Sequence, residues 1–122
     1  MKTKESDQCP TPDWIMNMFK DFFDPCPLNP NPTIDGLAID WKDKTYVNPP
    51  YSNPLPWVEK AIKENKKGKY IVMLLRMDCS TKSFRLLMEA KARIMFINCR
   101  IKFSGKWFSP YPNALFILDG KN

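Results

Sequence analysis

The sequence predicts an α/β fold in which helices cover the faces of a mostly parallel sheet. Short apolar runs of strand length alternate with amphipathic helical stretches, in the order strand, helix, strand, helix, strand, strand. This alternation is typical of layered α/β domains. Residues 70–75 and 93–97 are almost continuously apolar, as expected of strands that are buried on both faces. With 122 residues, the chain is expected to form one domain, residues 1–122, with a flexible lead-in over 1–10.

The first helix is predicted to begin at Thr11-Pro12-Asp13 and to end near Phe22. Thr11 suits the N-cap, Pro12 the first helical position and Asp13 the first turn, and apolar residues follow at helical spacing. The next segment, 24–36, contains four prolines. Proline removes a backbone donor and fixes φ, so this segment is predicted to be a loop.

The remaining elements follow from apolar runs bounded by proline, glycine or polar residues. A strand at 45–47 stops at two prolines, and a helix that starts at Pro54–Pro56 ends at Gly68. The further predicted elements are a strand over 70–75, a helix over 80–91, and strands over 93–97, 100–103 and 114–118.

Composition excludes several classes of function. There is no histidine, so mechanisms that need a catalytic imidazole are excluded. The four cysteines form no C-x-x-C pair, and we predict no metal site. The N-terminus carries no apolar stretch, and no apolar run reaches the length of a membrane span, so a cytoplasmic location is expected. The net charge of +6 favours a polyanionic partner.

Two polar clusters follow predicted strands, at 48–52 and 76–80. The carboxyl ends of parallel strands meet at one edge of a sheet, where ligands bind in open α/β folds. In the first cluster, the side-chain oxygen of Asn48 and the carbonyl of Pro49 can accept both protons of an exocyclic amine. Pro49 and Pro50 stiffen the loop, and the ring of Tyr51 can stack on a base. This chemistry relies on positioning and electrostatics and needs no histidine.

From about residue 10 to 118 the chain resembles the phage-type DNA N-6-adenine methyltransferases, relatives of Dam that contain an Asn-Pro-Pro-Tyr loop. The resemblance is carried by short segments that occur in the family's order. These are Thr11-Pro12, Phe23-Asp24-Pro25-Cys26-Pro27, Asp35-Gly36-Leu37, Trp41, Tyr46-Val47-Asn48-Pro49-Pro50-Tyr51-Ser52, Trp57–Ala61, Leu74-Leu75-Arg76 with Asp78 and Thr81, and Phe96–Phe103.

The resemblance implies a compact, reduced Rossmann-like methyltransferase fold with S-adenosyl-L-methionine as cofactor and DNA as substrate. It implies methylation of the adenine amine by a catalytic loop comprising Asn48, Pro49, Pro50 and Tyr51. A phage-encoded enzyme of this kind would act in the cytoplasm of the host cell.

Further residues are expected to bind the cofactor or the substrate. The helix start at Thr11 and Pro12 suits an anionic group. The expected cofactor-binding residues are Thr11, Pro12, Asp24, Pro25, Cys26, Asp35 and Asn48. The expected substrate-binding residues are Tyr51, Ser52, Asp78, Arg100 and Lys102, of which the last two belong to a basic and aromatic cluster suited to phosphates and bases.

Two alternatives remain open at this point. Larger relatives carry glycines after the Asp-Pro pair, whereas residues 24–28 contain none. This difference favours a degenerate, non-catalytic relative that binds nucleic acid or a protein partner. The Asn-Pro-Pro-Tyr loop also suits other planar amines, such as cytosine. A homodimer is physically reasonable because so small a sheet leaves exposed edges.

Overall fold

The computed structural model describes residues 13–27, 35–50, 52–97, 102–103, 107–108 and 113–119. The helices are α1 (Asp13–Met18), α2 (Leu55–Asn65) and α3 (Lys82–Glu89). The strands are β1 (Lys44–Val47), β2 (Tyr70–Arg76), β3 (Arg93–Phe96), β4 (Lys102–Phe103), β5 (Trp107–Phe108) and β6 (Asn113–Leu118). The α/β class and the alternation from β1 to β3 are therefore as predicted, whereas strand β5 was not expected. The first helix is shorter than expected, because the chain turns after Met18 and the N–H of Phe22 donates to the carbonyl of Phe19 at 2.9 Å.

The expectation of a mostly parallel sheet is wrong, because the four-stranded sheet is mixed. Its strand order is β1-β2-β6-β3, and only β1 and β2 pair in parallel. Strand β6 lies between β2 and β3 and is antiparallel to both. The connection from β3 to β6 carries the small β4–β5 hairpin. A strand that returns to pair with the one before it, without a helical crossover, runs antiparallel to it.

The direction of the strands brings several chain segments to one edge of the sheet. Strands β1, β2 and β3 point the same way, so their carboxyl ends lie beside the amino end of β6. The pairs Arg76↔Asn113 and Phe96↔Ala114 mark this edge, which we call the carboxyl edge. The loops that follow β1, β2 and β3 therefore all leave the sheet on the same side.

Each face of the sheet has its own apolar core. On one face, α2 and α3 bury Val58, Ala61 and Leu87 against alternate residues of β2 and β6. On the other face, Ile15 of α1 packs with Tyr46 and the intervening residues of the same strands. Burial on both faces explains why β2 and β6 are continuously apolar.

A buried carboxylate anchors the end of α2. Glu64 is fully buried, and its carboxylate binds the side chains of Lys60, Lys67 and Lys69. It also accepts the backbone N–H of Trp41 at 3.0 Å. The lysines of this helix would be taken as a solvated face from sequence alone, but the Lys60 side chain is only 12% exposed. The cluster ties the segment before β1 to α2.

No helix in the described ranges is long and apolar enough to cross a membrane.

Candidate active site

The loop after β1 starts at the carboxyl edge of the sheet. Asn48 follows the last residue of β1, Pro49 is buried and Pro50 is half-buried. The N–H of Asn53 donates to the carbonyl of Pro50 at 3.3 Å, which closes a turn before Pro54 caps α2. The two prolines end β1 because they fix φ and offer no N–H to the ladder. Residues 48–50 therefore lie between a buried strand and a helix.

A pocket opens beside this loop. It contains about 460 Å³ of empty space with its solvent-open mouth included. Its walls come from the prolines of the loop, the end of β2 and the start of α3. They include Pro49, Pro50, Pro54, Leu75, Arg76, Thr81, Phe84 and Phe116. A mostly apolar cleft with a few polar groups is typical of small-ligand sites. The predicted clusters after β1 and β2 are thus brought together.

The Asp24 segment lies along the outer side of β1. Phe23 forms a parallel bridge with Thr45, so at this point the segment runs beside β1 and in the same direction. Asp24 Oδ1 accepts the N–H of Cys26 at 2.9 Å. Burial raises the pKa of Asp24, although this hydrogen bond opposes the shift. Burial, followed by the nearby Asp24 carboxylate, raises the pKa of the Cys26 thiol to about 11, so the thiol stays neutral.

Gly36 allows the turn at residues 35–38 to pack against the Asp24 segment. A Cβ at this position would lie 2.0 Å from the carbonyl oxygen of Pro25 and 2.9 Å from Cη2 of Trp57. Only glycine permits so close an approach to a backbone atom. Its neighbour Asp35 accepts the N–H of Leu37 at 2.9 Å and is exposed. The segments that contain Asp24 and Asp35 therefore pack directly against each other.

Comparison with known proteins identifies the family of this site. Residues 31–113 match the family model described as DNA N-6-adenine-methyltransferase (Dam). The chain is also 34% identical over 119 residues to the DNA N-6-adenine-methyltransferase of Haemophilus phage HP1, covering 84% of this chain and 69% of that protein. The chain belongs to the Dam family of DNA N-6-adenine-methyltransferases. No solved structure matches it.

Membership of the Dam family confirms the adenine methyltransferase function expected from the sequence. It counts against the non-catalytic alternative, which depended on the absence of glycine from residues 24–28. In this Dam-family chain, a glycine does contact the Asp24 segment, but it comes from residue 36. The Rossmann-like form of the fold stays a prediction.

Asp78, which we expected to bind substrate, makes local contacts at the end of β2. Its Oδ1 accepts the N–H and the hydroxyl of Ser80 at 3.1 and 2.6 Å, and its Oδ2 lies 3.6 Å from Nη2 of Arg76. The hydrogen bonds from Ser80, assisted by Arg76, lower the pKa of Asp78. Arg76 lines the pocket of this methyltransferase, whereas Asp78 supports the turn that precedes α3. Asp78 as a substrate residue stays a prediction.

The structure describes the other predicted site residues only in part or not at all. Ser52 is exposed in the turn after the Asn-Pro-Pro-Tyr segment. Lys102 lies in β4, but its side chain is outside the described part of the structure. Thr11, Pro12, Tyr51 and Arg100 lie wholly outside the described residues. In the described ranges, no three histidine, cysteine or acidic residues converge as a metal site would require.

Three pocket residues had no site role predicted from the sequence. Thr81 caps α3, with its hydroxyl accepting the N–H of Phe84 at 3.2 Å, and both residues line the pocket. Phe116 reaches the pocket from β6, whose antiparallel pairing differs from the mostly parallel sheet that was expected. The helix-start pattern around Thr81 was a usable signal for the cap, but nothing in the sequence pointed to Phe116.

Proposed function

We propose that this chain methylates the N6 amine of adenine in DNA at the carboxyl edge, with S-adenosyl-L-methionine as methyl donor and residues 48–51 as catalytic loop. The observation that carries the proposal is the pocket formed by Pro49 and Pro50 together with Arg76 and Thr81. Pro49 from the loop after β1 and Arg76 from the end of β2 both line it. A base that leaves the duplex could enter it.

The loop recognises the amine through two acceptors, Asn48 Oδ1 and the Pro49 carbonyl. The Pro50 carbonyl already accepts the N–H of Asn53, so Pro49 supplies the second oxygen of the pair. Two acceptors hold both N–H groups of the amine and draw its lone pair out of conjugation with the ring. Tyr51 would stack on the base. No side chain has to remove a proton before the transfer.

The methyl donor would be held on the side of the loop away from β2. When bound, S-adenosyl-L-methionine supplies an electrophilic methyl group. Asp24 is half-buried, and within the described residues its Oδ2 takes no hydrogen bond. A partly desolvated carboxylate suits the ammonium or hydroxyl donors of such a ligand. Pro25, Cys26 and Asp35 would complete this side, with Thr11 and Pro12 as further expected contacts.

The DNA strand would pass along the start of α3. Lys82 and Arg85 are exposed, and neither takes part in an ion pair within the portion of the chain described here. They border a shallow surface groove that shares Thr81 and Phe84 with the pocket. Cations in this position suit phosphates on either side of an extruded base. Arg100 and Lys102 of the hairpin segment, which leaves the same edge, are expected to add further phosphate contacts.

A homodimer also stays a proposal. Strand β3 is an edge of the sheet, and Phe96 on it is 69% exposed. An exposed edge strand with apolar side chains is suited to pairing with a second copy. Sedimentation of the purified chain would test this directly, and a monomer at high concentration would exclude it.

The catalytic proposal is tested with Asn48→Ala. Removing one of two acceptors in the reacting complex is expected to lower kcat by 100-fold or more. The assay is transfer of labelled methyl groups to DNA, followed by hydrolysis and identification of the labelled base. Asn53→Ala is the matched control, because Asn53 is exposed and contributes its backbone N–H to the loop.

Label in adenine N6, lost in Asn48→Ala and kept in Asn53→Ala, would support the proposal. Equal transfer by Asn48→Ala and the parent would refute the assignment of the loop. Label in cytosine would refute the assignment of the substrate.

A further inference from the structure

Gly36 fixes the position of the Asp24 segment by direct contact. Its Cα faces the Pro25 carbonyl so closely that a Cβ there would lie 2.0 Å from the oxygen. Pro25 directly follows Asp24, so Gly36 contacts the backbone next to the Asp24 carboxylate. Residues 35–38 form a turn of their own, in which the N–H of Ala38 donates to the Asp35 carbonyl at 2.9 Å. This turn packs against the Asp24 segment through Gly36.

Trp41 holds this turn in place. Its indole Nε1–H donates to the carbonyl of Gly36 at 2.7 Å. The ring is buried, with 2% of its surface exposed, and lies parallel to Trp57 with centroids 6.4 Å apart. Trp57 in turn contacts the face of Gly36 where a side chain would be. A buried indole that has lost this acceptor would have no water to replace it.

The backbone of Trp41 is itself held by hydrogen bonds to Glu64 and Lys69. Its N–H donates to Glu64 Oε1 at 3.0 Å, and its carbonyl accepts from Lys69 Nζ. Contacts therefore run without a break from the buried charges of α2 through Trp41 and Gly36 to Pro25. None of these groups lines the pocket beside the catalytic loop.

We propose that Trp41 and Gly36 are positioning residues for the methyl donor, acting through the Asp24 segment. The inference rests on the proposed function, in which this segment binds the donor. It explains how a segment without glycines of its own can form a closely packed backbone site, since the glycine is supplied by residue 36. Donor binding and base binding then depend on different contacts, because the contacts of Trp41 and Gly36 reach the outer side of β1 and not the pocket.

The test uses Trp41→Phe, which keeps an aromatic ring but removes the Nε1–H donor. Loss of one buried hydrogen bond corresponds to a roughly five- to tenfold change in an equilibrium constant. We expect donor Kd by calorimetry, and donor KM, to rise by about that factor, with kcat at saturating donor and KM for DNA within twofold of the parent. Gly36→Ala should also weaken donor binding, because its Cβ would lie 2.0 Å from the Pro25 carbonyl oxygen.

Two controls distinguish positioning from general loss of stability. Ile117→Ala removes half-buried apolar surface from the opposite face of the sheet and should lower Tm without changing donor Kd. Asp24→Asn tests the underlying assignment, because asparagine retains the acceptor for Cys26 N–H but loses the charge.

The outcomes separate the two ideas. Weaker donor binding in both Asp24→Asn and Trp41→Phe, but not in Ile117→Ala, would support the inference. Weaker binding in Asp24→Asn alone would overturn the positioning role and leave the donor site intact. Unchanged binding in Asp24→Asn would refute the donor site itself, and the inference with it.

Discussion

Neutralising Glu64 should destabilise the protein more than any other single charge removal among the described residues. The carboxylate is fully buried, while the side chains of Lys60 and Lys69 are 12% and 15% exposed. Glu64→Gln keeps an acceptor for the Trp41 N–H but leaves two largely buried ammonium groups without a counter-charge. Breaking a buried pair in this way costs about 3–5 kcal/mol.

We take about 3 kcal/mol, the lower end of that range, because the amide keeps one hydrogen bond and Lys67 is 44% exposed. Unfolding entropy scales with chain length, and for 122 residues it is about 0.26 kcal/mol/K near 60 °C. The expected fall in Tm is therefore about 12 °C at neutral pH. Differential scanning calorimetry and urea titration measure it.

Acid should remove the same stabilisation from the parent. Burial alone would raise the pKa of Glu64, but hydrogen bonds from Lys69, Lys67, the Trp41 N–H and Lys60 together hold it well below its usual value. A pKa that is lower in the folded state means that the stabilisation is present above the unfolded value of about 4.3 and is lost as pH falls below it. The Tm difference between parent and Glu64→Gln should therefore shrink between pH 5 and pH 2.

Glu59→Gln is the matched control, since Glu59 is an exposed residue of the same helix and its replacement should change stability by less than about 0.5 kcal/mol. A Tm for Glu64→Gln within 2 °C of the control, or a difference that does not change with pH, would show that the buried charges contribute nothing net.

Two further outcomes are expected. The logarithm of the DNA association constant should fall less steeply with the logarithm of salt concentration in Lys82→Gln and in Arg85→Gln. Each slope should decrease in magnitude by about 0.9, as loss of one phosphate contact does. Lys63→Gln on the exposed face of α2 serves as control, and an equal change there would indicate nonspecific charge effects. Gly68→Ala should cost about 1–2 kcal/mol in urea unfolding, because Gly68 has φ of +97° and nothing within 4 Å of its missing Cβ; a neutral result would mean that the turn after α2 relaxes freely.

Local signals predicted most elements to within two residues at either end. The apolar run before two prolines predicted β1, and glycine after two lysines predicted the end of α2. These signals work because they report the backbone's own preferences. The first helix was predicted too long, because the apolar residues Phe19 and Phe22 pack in the core from a turn and not from a helix.

The candidate site was predictable in part. The polar cluster after β1 indicated one wall of the pocket, and its neighbour after β2 indicated the second wall. The contact between Gly36 and Pro25 was not predictable, because it joins positions eleven residues apart across a proline-rich loop. Glu64 gave no signal either, since its charge and spacing match an ordinary exposed helix face.

From the sequence alone came the α/β class, the alternation of strands and helices from β1 to β3 and the Asn-Pro-Pro-Tyr segment at a strand end. These depend on short-range periodicity and on motifs that do not need the fold. Tertiary structure decided the antiparallel insertion of β6, the burial of Glu64 and the approach of Gly36 to the Asp24 segment. The apolar pattern of a strand does not indicate whether the strand pairs in parallel or antiparallel. A residue's burial depends on which residues the rest of the chain places around it.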